Sequence, residues 1–404
     1  MVNTTTDVLI VGGGPAGLAT AVALRQRGAS VTVADAMKPP IDKACGEGLM
    51  PDSLHELASL GVDLSARGLS TGDGAQFRGI RFVNHHIGNS GRSRETATAQ
   101  FPADSFLPVT GIGLRRPALH SRLAQRAEEL GVVLRWLSPV QLKSAGQVLV
   151  AGEPFRYNWL VGADGHNSRV RSWAGLEDGS ILSRRFGFRQ HFQVEPWSPY
   201  VEVHWGKTGQ AYVTPVGPNE LCVATIARNA NFRLENMLEE LPWLREKLSG
   251  CAMPDPTPTD RERGALTTTR RLERVVRGKV ILVGDASGSA DAITGEGMGM
   301  AFRQALLLAE CLEANNLGRY NRLHPDILEL PQTMARVMLL MDRSEAFRNR
   351  ALHMLASEPA LFTRMLGVHL GTESLLRFIA TRGLEIAWRL ASQPGAARTS
   401  AAPA

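Results

Sequence analysis

The chain has 404 residues, a net charge of +6 at neutral pH and 44% hydrophobic residues. That length predicts two or three domains, and that apolar share excludes a disordered chain. Its basic residues are scattered, with no run of five or six like charges, which excludes nucleic acid as an expected partner, and no run of 18 apolar residues is present to span a membrane.

Cys45, Cys222, Cys251 and Cys311 lie far apart without a CxxC pair. Neither a zinc site nor a disulfide framework is expected, and reduced thiols fit a cytoplasmic protein. The first seven residues lead into a strand with no basic region or cleavage site, so no signal peptide is expected.

Residues 7–11 (DVLIV) are a short apolar run, the pattern of a buried parallel strand. A helix follows over 15–27 and ends at Gly28, and residues 30–34 read as a second strand. An amphipathic helix is predicted over 117–130, with Pro117 at its start and Gly131 at its end, and strands over 132–136 and 147–150. A further buried strand, Trp159-Leu160-Val161, runs into the turn Gly162-Ala163-Asp164-Gly165. Alternating patterns over 186–194, 200–205, 210–216 and 220–227 predict an antiparallel sheet. Residues 254–258 (PDPTP) form a rigid connection, and 279–283 return as a buried strand. From about 297 the pattern is helical, notably over 332–355 and 361–390.

This order predicts an α/β protein: a Rossmann-like nucleotide-binding domain, an inserted mainly antiparallel substrate domain and a C-terminal helical region. The expected boundaries are 1–180 with 260–318, then 181–259, then 319–393, with a disordered tail over 394–404.

Gly12-x-Gly14-x-x-Gly17 follows a strand and opens a helix. The first glycine suits a tight turn, the second admits a pyrophosphate, and the third lets helix and strand pack closely. Asp35 ends the second strand, where a carboxylate can accept from ribose hydroxyls. A second glycine-rich stretch runs from Gly284-Asp285 to Gly295-Glu296-Gly297-Met298 and opens another helix. Asp285 suits a ribityl hydroxyl, and a helix N-terminus suits the negative charge of a reduced flavin ring.

The glycine fingerprint, the Ala163-Asp164-Gly165 turn with Ser168 and Arg171, and the late Gly284-Asp285 motif resemble, in this order, flavoproteins of the p-hydroxybenzoate hydroxylase fold. The resemblance covers residues 7–310. It implies bound FAD, with NAD(P)H as a transient electron donor. It also implies a cofactor site of Gly12, Gly14, Pro15, Ala16, Gly17, Asp35, Lys43, Cys45, Gly46, Arg116, Val140, Asp164, Asp285, Gly295, Glu296, Gly297 and Met298. In that set Arg116 reaches the diphosphate or ribityl region and the Val140 backbone meets the adenine.

Lys43-Ala44-Cys45-Gly46-Glu47-Gly48 and the ten-residue step from Asp285 to Gly295 resemble the geranylgeranyl reductase-like branch. The Trp-x-Trp-x-x-Pro string of flavin-dependent halogenases is absent. Departures from the reductase pattern fall at Ala211–Pro215, where only Tyr212 and Pro215 match an aromatic-rich segment, and at Ala292-Ile293, where a proline is missing.

Cys45 and Glu47 are the catalytic candidates, as thiol and proton donor; each also fits a packing or surface role. His191, His204 and Tyr212 are candidates for the substrate pocket. Met334, Val337, Met338, Met341 and Phe347 mark a helical cap or, alternatively, a surface for a membrane or lipid-like substrate.

The first functional reading is an NAD(P)H-dependent monooxygenase hydroxylating a lipophilic phenol or polyketide-like molecule. The alternative is reduction of a C=C bond in a polyprenyl or quinone substrate. A third is a non-enzymatic lipid-binding protein.

Overall fold

The computed structural model describes residues 5–64, 73–88, 91–103, 106–143, 147–253, 257 and 260–392. The connection expected over 254–258 falls, apart from Thr257, outside the described residues, as does the tail over 394–404.

A six-stranded sheet forms the base, in the order 276–277, 280–282, 156–162, 5–11, 31–34 and 133–135. Every neighbouring pair is parallel except the first. Val8, Leu9 and Ile10 are fully buried because helices cover the sheet, so the central strand reads as an unbroken apolar run. Helix α1 (Pro15–Gln26) packs on the sheet through Leu18, Ala21 and Val22. Gly28, at φ +84°, turns the chain out of it in the left-handed conformation. Helix α2 (Pro51–Ser59) follows the loop 35–47, and helix α3 (Arg116–Glu129) lies against α1. The short helix α4 (Arg169–Trp173) follows the Asp164 turn.

A seven-stranded sheet stands over the carboxyl edge of the first. Its order is 263–272, 179–192, 220–227, 209–217, 201–205, 79–88 and 91–100. It is antiparallel except where Val201–Trp205 pairs with Gly79–Gly88. Three of these strands come from outside 181–259, so the sheet is wider than the alternation of that span predicts. Helices α5 (Leu234–Glu240) and α6 (Pro242–Leu248) cover one face through Met237, Leu241 and Leu244.

The C-terminal region covers the other face. Helix α7 (Gly297–Glu313) returns to the nucleotide fold, and α8 (Leu317–Arg343) continues through Pro325 and Pro331. Then come α9 (Glu345–Ser357), α10 (Pro359–His369) and α11 (Leu375–Ser392). The two long helices predicted over 332–355 and 361–390 are therefore broken. Ser344 caps α9 by accepting from Phe347 N, and Gly371 turns at φ +73°. Met341 is buried, and Met334, Met338 and Phe347 pack against the same core, so these residues turn inward to the sheet. Among the described residues no helix is long and apolar enough to cross a membrane.

One buried polar clamp ties this cap to the sheet. Arg185 Nη2 donates to Gln210 at 2.7 Å and lies 3.7 Å from Asp342 at the end of α8. Gln210 donates to Asp342, and Arg228 closes on the same carboxylate at 2.8 Å.

Candidate active site

The three fingerprint glycines do different work. Gly12 sits at φ +110°, and a Cβ there would overlap the Ala163 carbonyl, so both conformation and space demand glycine. At Gly17 a Cβ would overlap the Gly12 carbonyl, which is the close approach of α1 to its strand. Gly14 has an ordinary φ of −71° and nothing within 4 Å of where a Cβ would stand. The space at Gly14 is open, at the N-terminus of α1, with Pro15 at its first position. Asp35 Oδ2 accepts from Gly13 N at 2.6 Å and Oδ1 from Met37 N at 2.7 Å. Its carboxylate thus fixes the turn while lining the cleft with lone pairs to spare.

Two residues that sequence reasoning missed hold the same turn. His120, fully buried on α3, donates from Nε2 to Gly13 O at 2.9 Å, and the Trp136 ring stands where a Gly13 Cβ would be. The signal for His120 was slight: one polar residue on the apolar face of α3, one turn after Arg116.

Arg116 opens α3 and lines the cleft, and its buried Nε has no partner among the described residues. Lys43 Nζ meets Asp285 Oδ2 at 3.1 Å across the cleft. Burial raises the pKa of Asp285, but Lys43 and then Arg116 and His166 outweigh it and hold the carboxyl below its usual value. Gly295 (φ +73°) and Gly297 leave open space at the start of α7, and Met298 and Val140 complete the wall.

Asp164 also lines the cleft, yet its oxygens serve α4: Oδ1 accepts from Ser168 at 2.5 Å and Oδ2 from Arg169 N at 2.7 Å. Arg171 then donates to His166 O at 2.9 Å and Ala286 O at 3.1 Å, fastening this turn to the Gly284-Asp285 turn. The Glu296 side chain turns away from the cleft, beneath α7, within 3.9 Å of Arg303 and 3.7 Å of His369.

The loop carrying Cys45 runs along the cleft, with Lys43, Cys45, Gly46 and Glu47 in its wall. Glu47 is buried at φ +58°. Its Oε1 accepts from Arg116 N at 3.0 Å, its Oε2 pairs with His191 Nε2 at 2.7 Å, and Arg189 Nη2 lies at 3.7 Å. Burial pushes the Glu47 pKa up, but His191 and Arg189 prevail and the carboxyl stays below its usual value. Glu47 is therefore a fixed anion that pins the loop. Its backbone N–H points at Cys45 Sγ, 3.4 Å away. Glu47, His191 and Cys222 bring a carboxylate, an imidazole and a thiol within 4.8 Å of one another. Arg189 already supplies the cation there, and burial drives the Cys222 thiol well above its usual pKa.

Beyond the loop the cleft opens into a chamber, the whole enclosing about 720 Å³. Its walls come from the seven-stranded sheet (Phe82, Val203, Tyr212) and from α8 and α10 (Met334, Met338, Phe362). Tyr212 faces it and donates from Oη to Ile293 O at 2.7 Å. His204 does not: Val201 and Val203 face the chamber, so alternation sends His204 to the far side, where it meets Glu202 at 3.1 Å and His85 at 3.0 Å. His191 also stands outside the wall, behind Glu47 and Arg189.

This arrangement fits FAD. Gly14, Gly295 and Gly297 leave room for backbone contact, two helix N-termini face the cleft, and the buried Arg116 Nε awaits an anionic or hydroxyl partner.

The profile of the family described as "FAD binding domain" matches residues 5–320. The chain is 27% identical over 353 residues to a menaquinone reductase of Mycolicibacterium smegmatis, covering 81% of each chain. It is 26% identical over 333 residues to a putative FAD-dependent monooxygenase of Bacillus subtilis, covering 76% of this chain and 84% of the relative. Among solved structures, a flavin-dependent brominase matches with a TM-score of 0.71 at 14% identity, over 95% of this chain and 99% of that one, a likeness of fold.

Proposed function

This chain belongs to the FAD-binding-domain family and is an FAD-dependent oxidoreductase, and from that premise we propose that it is an NAD(P)H-dependent monooxygenase acting on a neutral, lipophilic small molecule. The observation that carries the reading is the chamber itself. It is continuous with the cofactor cleft, and beyond that cleft its wall is mostly apolar (Phe82, Val203, Met334, Met338, Phe362), with Thr214, Thr294, His369 and Tyr212 among its polar groups and the Tyr212 hydroxyl already engaged by Ile293. A charged substrate would leave its ion unpaired there, at a cost of several kcal/mol. Bound FAD supplies electron transfer and oxygen activation. The chain's own part is to hold the diphosphate at Gly14 and Arg116, to set the ribityl chain against Asp285, and to keep water from the reacting face with Phe82, Met334 and Met338.

A second reading is reduction of an isolated C=C bond in a polyprenyl or quinone-type substrate. The likeness to a menaquinone reductase and the position of Cys45 in the cleft wall favour it. Oxygen uptake and product mass, measured with NAD(P)H and candidate phenols, polyketides and prenyl quinones, separate the two. Oxygen consumption with a product heavier by one oxygen atom supports the monooxygenase. A product heavier by two hydrogens, formed without oxygen, overturns it in favour of the reductase.

A further inference from the structure

Behind the start of α7 lies a buried cluster that the cofactor site does not use. Glu296 is 2% exposed, and its Oε2 has no hydrogen-bond partner among the described residues. Asp52, on α2, is 5% exposed and its Oδ1 is likewise unpartnered. One cation serves both carboxyls: Arg303 of α7, at 3.3 Å from Asp52 and 3.9 Å from Glu296. Two carboxylates sharing one guanidinium in a dry site cannot both ionise cheaply, so one keeps its proton. Glu296 is the one farther from Arg303. Burial, and then the charge of Asp52, drives its pKa well above the usual value.

Facing the unpartnered Glu296 Oε2 at 3.7 Å is Nε2 of His369, the last residue of α10. His369 also lines the chamber and is hydrogen-bonded to the backbone of Thr294, another wall residue. Burial, followed by the charge of Arg303, lowers its pKa to about 4, so the resting ring is neutral. On the other side Asp52 stands four residues before Glu56 on α2, and Glu56 is partly open to solvent. The groups that face Glu296 are thus Asp52, Arg303 and His369, with Glu56 at the outer end.

We propose that Glu296 is a buried proton store that supplies the chamber through His369 and is refilled from solvent past Asp52 and Glu56. In the transfer the Oε2–H bond of Glu296 breaks and an N–H bond forms on His369. The imidazolium so formed passes that same proton on to the atom of substrate or reduced oxygen that has become basic, and the ring returns to its neutral starting form with its other N–H still held by the Thr294 backbone. Glu296 is left as a carboxylate balanced by Arg303 until a solvent proton returns. Both proposed reactions consume a proton in the chamber, so the inference rests on the oxidoreductase reading only for the identity of the acceptor.

The store can be tested apart from turnover. Infrared spectra of the purified protein should show the carbonyl stretch of a protonated carboxylic acid at neutral pH, lost in Glu296→Gln. In Asp52→Asn that band should disappear at a lower pH than in the parent, because the competing carboxylate is gone. This second variant carries the test if Glu296→Gln fails to fold. Absence of the band in the parent, or its persistence in a folded Glu296→Gln, overturns the store. For delivery, Glu296→Gln and His369→Gln should keep FAD content and NAD(P)H-driven flavin reduction while product formation falls at least about tenfold. His369→Gln should also keep the infrared band. Unaltered product formation in both variants overturns the delivery step. A parent protein that has the band but turns over none of the candidate substrates counts against the proposed function and leaves the store standing.

Discussion

The cofactor cleft and the chamber are two parts of one cavity built in opposite ways. The cleft is made by short stretches of chain: a glycine turn, two helix starts and the loop 43–48, in which backbone groups and missing side chains do most of the work. The chamber is made by side chains from residues 77–82, 201–226 and 334–369, brought together only when the seven-stranded sheet receives α8 and α10. A cleft of the first kind should fail through one atom in the wrong place. The chamber should fail through loss of the contacts that hold its layers together.

The largest effect expected is on the second kind. Asp342→Ala removes the carboxylate between Arg185, Gln210 and Arg228; Arg185 keeps Asp291 at 3.5 Å, but each buried donor left without its acceptor costs about 1–3 kcal/mol. Thermal melting should fall sharply while the FAD content of the folded fraction is kept. Melting at the parental temperature would show that the clamp does not hold the cap.

Gly14→Val and Gly17→Val sharpen the contrast within the cleft. Gly14→Val should fold nearly as well as the parent but bind no FAD, because its side chain enters the space left open at α1. Gly17→Val should lose stability itself, by about 3 kcal/mol or more, because its Cβ meets the Gly12 carbonyl. Flavin absorbance and melting curves on both variants check this, and normal flavin content in a folded Gly14→Val would break the assignment of the open space to the diphosphate.

Asp285→Ala should weaken FAD retention by about 1.5–3 kcal/mol, the worth of a hydrogen bond to a charged group, and change folding less. It also strips Lys43 of its partner, so Lys43→Met in the same background should add little further loss. Equal FAD affinity in variant and parent, measured by fluorescence titration, would place the ribityl chain elsewhere.

Cys45→Ser is the smallest change and bears on the junction of the two regions. If the protein is a monooxygenase the thiol is dispensable and turnover should stay within about twofold of the parent. If it reduces C=C bonds, turnover should fall at least about tenfold with FAD still bound. Loss of flavin would instead mean that Cys45 packs the loop pinned by Glu47.

Much of the cleft was legible in the sequence because its function rests on local geometry. Gly12, Gly14 and Gly17 have fixed offsets within one strand–turn–helix unit, and Gly284-Asp285 precedes α7 by a fixed step. Glu47 was legible as a residue and not as a role, because its pairing with His191 and Arg189 joins positions about 140 apart in the chain. For His204 the alternation was right, but alternation cannot say which face of a sheet meets the chamber. That depends on which layer covers it, here α5 and α6 on one side and the C-terminal helices on the other. Likewise Met334 and Met338 offered the sequence a choice between a cap and a surface for a membrane or lipid-like substrate, and the structure packs both in the cap and in the chamber wall, while Val337 beside them is 42% exposed.

By itself, then, the sequence determined the parallel sheet, the nucleotide turn and the order of the layers, since apolar runs and glycine spacings act through backbone conformation within a few residues. The tertiary structure alone decided the width of the second sheet, the volume and lining of the chamber, and the company kept by Glu47, Asp164 and Glu296. Each of these depends on distant segments meeting in a low-dielectric interior, where a charge is paired, spent on a helix cap or left holding its proton according to its neighbours in space.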